Sequence, residues 1–219
     1  MILVYDTETT TFPSPSLPAN HPDQARIVQL AWLLLDEKFV ERACFNSLIR
    51  LPPSVKISDG ARNAHGITEE DCAKYGCPID YALDLFFCAK RKAQYNVAHN
   101  IKFDKQLIQI EDAILYGPAT TKLSNGVGAV EFCTMEAMTP ICRLPHTSGR
   151  RFGSAYKWPK LQEAYQHCFG ESFEGAHDAL ADVRATARIY KWLMEQKTYK
   201  APVYTAPEIA IGNLETKVA

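Results

Sequence analysis

The sequence predicts an α/β fold, one sheet flanked by helices, and three features carry that expectation. Apolar runs of strand length fill the first quarter of the chain, at Ile2–Tyr5, Ile27–Leu35 and Ala43–Leu51. Helical periodicity takes over from Thr68 onward. Two further short strand-like runs, Tyr95–Ala98 and Val130–Cys133, sit between the helical stretches. At 219 residues the chain fits one domain, spanning 1–197, with 198–219 left as a C-terminal tail or arm without clear period.

The first run ends in polar residues, so it reads as a buried strand whose carboxyl end carries function. A loop holding Pro13, Pro15, Pro18 and Pro22 follows and excludes regular structure. Pro52-Pro53 stops the third strand. The connections among the first three strands are too short for crossover helices, which predicts an antiparallel meander. Thr68-Glu69-Glu70-Asp71 has the pattern of a capping box with acids in a helix's first turn. From Pro78 to Lys92, the residues Ile79, Leu83, Phe86 and Phe87 form one apolar face. Asn100 is the expected N-cap of a helix from Ile101 to about Leu115, with Phe103, Leu107, Ile110 and Ile114 as its buried stripe. Pro159, near N1, opens a helix to about Cys168. The last helix runs from Asp178 to about Gln196, with Leu180, Val183, Ala187, Tyr190 and Met194 on one face.

An apolar fraction of 47% is enough to fill a sizeable core, yet no stretch is long and apolar enough to span a bilayer. The N-terminus reads as a core strand rather than a cleavable signal, so a cytoplasmic protein is expected. The seven cysteines include no Cys-x-x-Cys pair, which argues against a zinc ribbon or a thioredoxin-like motif. Buried reduced thiols in a reducing compartment are the expectation. A net charge of −1 argues against indiscriminate coating of nucleic acid but leaves room for a local basic groove. Between Ala137 and Gln162 there is no acid. Arg143, Arg150, Arg151, Lys157 and Lys160 interleave there with Phe152, Tyr156 and Trp158. That mixture suits single-strand binding, and equally a solvated loop with a few packed aromatics.

Three clusters carry the chemistry. Residues i and i+2 of a strand face one side, roughly 6 to 7 Å apart, so Asp6 and Glu8 present two carboxylates to one spot. Ligand sites in open α/β sheets favour such strand ends. Asp104 lies one turn into the helix after Tyr95–Ala98, and Asp182 one turn into the last helix among the small residues Ala179, Ala181 and Ala185. Two carboxylates 4 Å apart repel by roughly 4 kcal/mol even at an effective dielectric of ~20, so a cluster of four needs cations. Hard oxygen ligands select Mg²⁺ or Mn²⁺ over zinc. His177, in a Gly175-Ala176 loop, can take a proton from an attacking water. Asp178 beside it is explained as a first-turn helix acid.

Asp6-x-Glu8-Thr9, His99-Asn100-x-x-Phe103-Asp104 and His177-x-x-x-x-Asp182 resemble the three motifs of the DEDDh exonuclease family, over about residues 1 to 195. His65-Gly66-Ile67-Thr68 and Lys160-Leu161 fit its layout as well. The resemblance implies a ribonuclease-H-like fold with a five-stranded mixed sheet ordered 3-2-1-4-5. It implies 3′→5′ removal of nucleoside 5′-monophosphates with two Mg²⁺ or Mn²⁺ ions. Asp6, Glu8 and Asp182 would hold one ion, and Asp6 and Asp104 would serve the second. His177 would be the general base. It also implies that Thr9, Thr10, His65, Asn100 and Phe103 surround the terminal nucleotide. Each has a plainer alternative: Asn100 caps a helix, Phe103 fills the core, His65 closes a turn.

The leading expectation is a nuclease acting on single-stranded 3′ ends, with DNA favoured over RNA and no membrane partner. An RNA-trimming enzyme and a non-catalytic nucleic-acid-binding module on the same fold are the alternatives. Clustered acids facing phosphate argue against the last. Free-standing action and editing for a DNA polymerase, with the tail as docking arm, stand level. The loop from Phe12 to Asp23, the stretch from Leu115 to Val130 and the basic segment after Ile141 look enlarged for the family, so substrate preference is not borrowed from any one relative.

Overall fold

β1 (Ile2–Thr9), β2 (Ile27–Leu35) and β3 (Glu41–Leu48) form the expected antiparallel meander, with Tyr5 opposite Trp32 and Trp32 opposite Phe45. The structure is a computed structural model and describes residues 1–117, 129–146, 155–196 and 199–200. Seven helices follow in chain order among these: α1 (Asp59–His65), α2 (Glu69–Tyr75), α3 (Ile79–Lys90), α4 (Ile101–Tyr116), α5 (Thr134–Cys142), α6 (Leu161–Phe169) and α7 (Ala179–Glu195). β4 (Tyr95–Ala98) and β5 (Val130–Cys133) join in parallel on the far side of β1. The order is 3-2-1-4-5, the ribonuclease-H-like arrangement.

Every residue of β2 is buried because both sheet faces are covered. Leu3, Tyr5, Leu30, Leu83, Phe86 and Leu107 build one core under α3 and α4. Val4, Ala31, Leu33, Val183, Ile189 and Leu193 build the other under α7. The capping box at Thr68 and Asp71 is present with both reciprocal bonds. No helix among the described residues is long and apolar enough to cross a membrane.

Several boundaries differ from those read in the sequence, each for a physical reason. β1 continues past Tyr5 to Thr9, because β2 satisfies its backbone opposite Glu8 and Thr9 whatever the side chains are. β3 starts at Glu41 and stops at Leu48, not Leu51; Ile49 makes only an isolated bridge to Cys77. α1 buries no residue and is held by its cap, the Ser58 side chain accepting from the Ala61 N–H, so apolar periodicity does not reveal it. α5 contains Pro140, which conceals that helix. α6 begins at Leu161 rather than Pro159, whose carbonyl is bonded to His99 Nε2 at 3.0 Å. Asn100 occupies the N-cap position of α4 but makes no side-chain cap bond; its φ of 69° is the left-handed conformation that asparagine tolerates.

The buried face of α4 is also rotated from the predicted stripe. Phe103 and Ile114 are only partly buried, while Ile101, Asp104, Ile108 and Glu111 point inward. Glu111 chelates Arg26, with Nε to Oε1 at 3.0 Å and a guanidinium nitrogen to Oε2 at 2.7 Å, and accepts the Ile27 N–H at 2.9 Å. Both side chains are buried, at 9% and 1% exposure. Breaking such a pair leaves one buried charge bare and typically costs about 3–5 kcal/mol. This brace sets how α4 lies against the start of β2. Arg150, Arg151, Phe152 and most of the 198–219 tail lie outside the described residues.

Candidate active site

The parallel pairing of β1 with β4 ends at Val4 opposite Val97, so the β1 edge beyond it has no strand neighbour. α4 begins just after β4 and brings Asp104 to that edge. Asp104 Oδ1 accepts the Thr7 backbone N–H at 3.0 Å and the Thr7 hydroxyl at 2.8 Å, in the place a strand carbonyl would have taken. It is 2% exposed.

α7 approaches from the opposite face. Asp178 is its N-cap rather than a first-turn acid: Oδ1 accepts the Leu180 and Ala181 N–H groups, each at 3.1 Å. The preceding turn passes through two left-handed residues, Gly175 at φ 76° and His177 at φ 68°. A Cβ on Gly175 would lie 3.2 Å from that of Ala181, so the turn packs tightly on the helix. Asp182 Oδ2 accepts the His177 N–H at 3.2 Å, and its buried Oδ1 meets no hydrogen-bond donor among the described residues. Ligand atoms of Glu8, His177 and Asp182 all lie within 4.8 Å of one another.

The acids perturb one another strongly. Burial, then Asp104, Asp182 and Glu8, holds the Asp6 carboxyl well above the usual carboxylate range. Glu8 is pushed up to about 8 by burial, then by Asp182, Asp104 and Asp178. Asp104 rises to about 7 through burial, offset in part by the two bonds from Thr7, with Asp182 adding to the rise. Asp182 rises to about 6 through burial, against the His177 N–H bond that favours its charge. Crowded carboxylates and one buried oxygen lacking a donor fit divalent cations, whose charge resolves both.

A cleft of about 490 Å³ opens beside Glu8 and His177. Gly60, Ala61 and Ala64 of α1 line it together with Thr9, His65, Phe12 and Phe103. Phe12 is 82% exposed and meets Phe103 edge-on, ring centroids 6.0 Å apart. His65 Nδ1 accepts the Ile67 N–H, so the neutral ring carries its proton on Nε2 and donates to the Thr9 carbonyl at 3.1 Å. Burial lowers its pKa. His65 therefore closes a turn and walls the cleft at once.

Thr9, His65 and Phe103 reach the cleft; Thr10 and Asn100 do not line it. The Thr10 hydroxyl is buried and accepts the Arg26 N–H at 3.0 Å. Arg143 is exposed, and its Nε donates to the Pro140 carbonyl. Lys157 is already paired with Glu163 at 2.6 Å, while Trp158 is 55% exposed. Phe12 escaped sequence reasoning, although a lone aromatic entering a proline-rich loop four residues after Glu8 was its visible signal.

The exonuclease model of the RNase_T family matches residues 3–190. No curated protein sequence matches the chain. Among solved structures, E. coli exonuclease I in complex with a dT13 oligonucleotide is 19% identical with a TM-score of 0.67, covering 89% of this chain and 41% of that one. The zinc-bound form of the E. coli exonuclease I complex with single-stranded DNA is 19% identical at 0.63, covering 88% and 42%. A moderately thermophilic exonuclease I from Methylocaldum szegediense is 21% identical at 0.65, covering 90% and 40%. Likeness at this identity establishes a shared fold, and the chain spans about two-fifths of the length of those proteins.

Proposed function

The chain belongs to the RNase_T exonuclease family, a family of hydrolases acting on phosphodiester bonds, and we propose that it removes nucleoside 5′-monophosphates from single-stranded 3′ ends, DNA in preference to RNA. The observation that carries this reading is the convergence of Glu8, Asp182 and the His177 imidazole within 4.8 Å, next to Asp6 and Asp104 and at the mouth of an aromatic cleft. Support for DNA comes from proteins of the same fold, since E. coli exonuclease I is seen in complex with dA16 and dT13 oligonucleotides.

Asp6, Glu8 and Asp182 would hold one Mg²⁺ or Mn²⁺ ion, and Asp6 with Asp104 a second. When bound, such ions polarise the scissile phosphate and make water a better nucleophile near neutral pH. The terminal base stacks against the exposed Phe12 ring, which Phe103 backs edge-on, and such stacking tolerates any sequence. His65, with its proton committed to the Thr9 carbonyl, keeps the wall of that cleft in place. His177 accepts the proton of the attacking water on its imidazole and is free to do so because its backbone, not its ring, is bonded to Asp182. Crowded carboxylates also disfavour a purely binding role, since without cations they repel phosphate.

The test incubates the full chain with 5′-labelled single-stranded DNA or RNA of one sequence, with Mg²⁺, Mn²⁺ or EDTA. A ladder shortening from the 3′ end is expected with either ion and absent with EDTA, faster on DNA. Asp6→Ala should abolish it. His177→Ala should slow it by about 100-fold or more, the usual contribution of a general base. Intact substrate under every metal condition would overturn the proposal.

A further inference from the structure

Gln29 is an anomaly in β2: an amide, 5% exposed, in a strand whose other residues are apolar. Burying an amide is costly unless all its polar atoms are bonded. Here they are. Nε2 donates to Asn46 Oδ1 on β3 at 3.0 Å and to Asp178 Oδ2 at 3.0 Å, and Oε1 accepts the Ala179 N–H at 3.2 Å. Gln29 is the cross-strand partner of Glu8, so the two side chains rise on the same face of the sheet.

The consequence falls on the next residue along. Asp178 gives one oxygen to cap α7 and the other to Gln29, so the sheet grips the helix at its first residues. His177 lies between that grip and its own N–H bond to Asp182, in a left-handed conformation that side chains rarely adopt unaided. We infer that Gln29 is a positioning residue, which through Asp178 and Ala179 holds the His177 imidazole over Glu8 and Asp182. This rests on the proposed nuclease reading for its kinetic consequence, though not for its geometry.

The test compares the full chain with Gln29→Met, which keeps the shape and removes the bonds, and with Asp178→Asn, which keeps a capping oxygen but turns an amide N–H₂ toward Gln29. With Mn²⁺ and single-stranded DNA, Gln29→Met should lower kcat by about tenfold or more with KM changed less than about threefold, as misplaced reacting groups do. In a His177→Ala background the same substitution should change kcat by less than about twofold, because both act on one step. A full multiplicative loss in that background overturns the inference. Without metal or substrate, the imidazole Cε1–H resonance of His177, assigned by its loss in His177→Ala, should move in both variants while those of His65 and His99 stay. Wild-type protein that leaves DNA and RNA intact sinks the nuclease reading; a His177 resonance that stays put in folded variants sinks this inference alone.

Discussion

Asp104 is held between opposing influences. Burial and the neighbouring Asp182 favour its protonated form, whereas two bonds from Thr7 favour the carboxylate. Asp104→Asn preserves the shape and an acceptor for both Thr7 donors, and removes one of four crowded charges. In metal-free protein at alkaline pH it should therefore raise the melting temperature by roughly 3 °C, about what 1 kcal/mol yields in a chain this size. Its nuclease activity should fall by at least about 100-fold, as when charge stabilisation is removed from a transition state. Calorimetry in EDTA and the ladder assay check the two halves. A drop in melting temperature would mean that Asp104 is a structural acid whose bonds to Thr7 outweigh its repulsion.

At the scale of elements, the molecule depends on a few close approaches that no rotamer change can relieve. Gly76 ends α2 where the chain meets the exit of β3, and a Cβ there would lie 2.3 Å from the Cys72 carbonyl oxygen and 2.5 Å from the Arg50 nitrogen. Those are backbone atoms, one in α2 and one two residues past the end of β3. Gly76→Ala should destabilise by about 3 kcal/mol, the upper range for overpacking, read as a lowered urea midpoint at unchanged slope. The Arg26–Glu111 brace works on the other side of β2. It ties α4 to residues just before the strand, and so fixes how far the helix advances Asp104 along the open edge of β1.

Taken as a whole, the protein concentrates negative charge at one end of its sheet, and its stability should report this. Glu8 at about 8, Asp104 at about 7 and Asp182 at about 6 all sit above their ordinary values. Between roughly pH 4 and 8 these acids hold protons in the native state that the unfolded chain has lost, so their contribution to stability falls as pH rises. His99, lowered to about 4 by burial, works in the opposite sense below about pH 6.5. The contribution from these acids is complete at the acid end and lost at the alkaline end. Divalent cations held by the deprotonated carboxylates, as proposed above, should reverse the trend. In EDTA the melting temperature should decline from about pH 5.5 to about pH 8, and the increment from Mn²⁺ should grow over the same range. An increment that shrinks with pH would place the ion elsewhere.

The sequence by itself determined where the candidate residues lie: Asp6 and Glu8 two apart on a strand, Asp104 and Asp182 each in a first helical turn, and His177 before the last helix. It also determined the meander, the Thr68 capping box and α7, since strand and helix periods and caps are local properties of consecutive residues. Only the tertiary structure decided that Asp104 completes the edge of β1, 97 positions from the Thr7 it binds. The same holds for Phe12 against Phe103, for Glu111 on Arg26, and for Gln29 holding the start of α7. Burial, pKa and hydrogen-bond partners are sums over neighbours in space. Where those neighbours lie far apart along the chain, no local pattern records them.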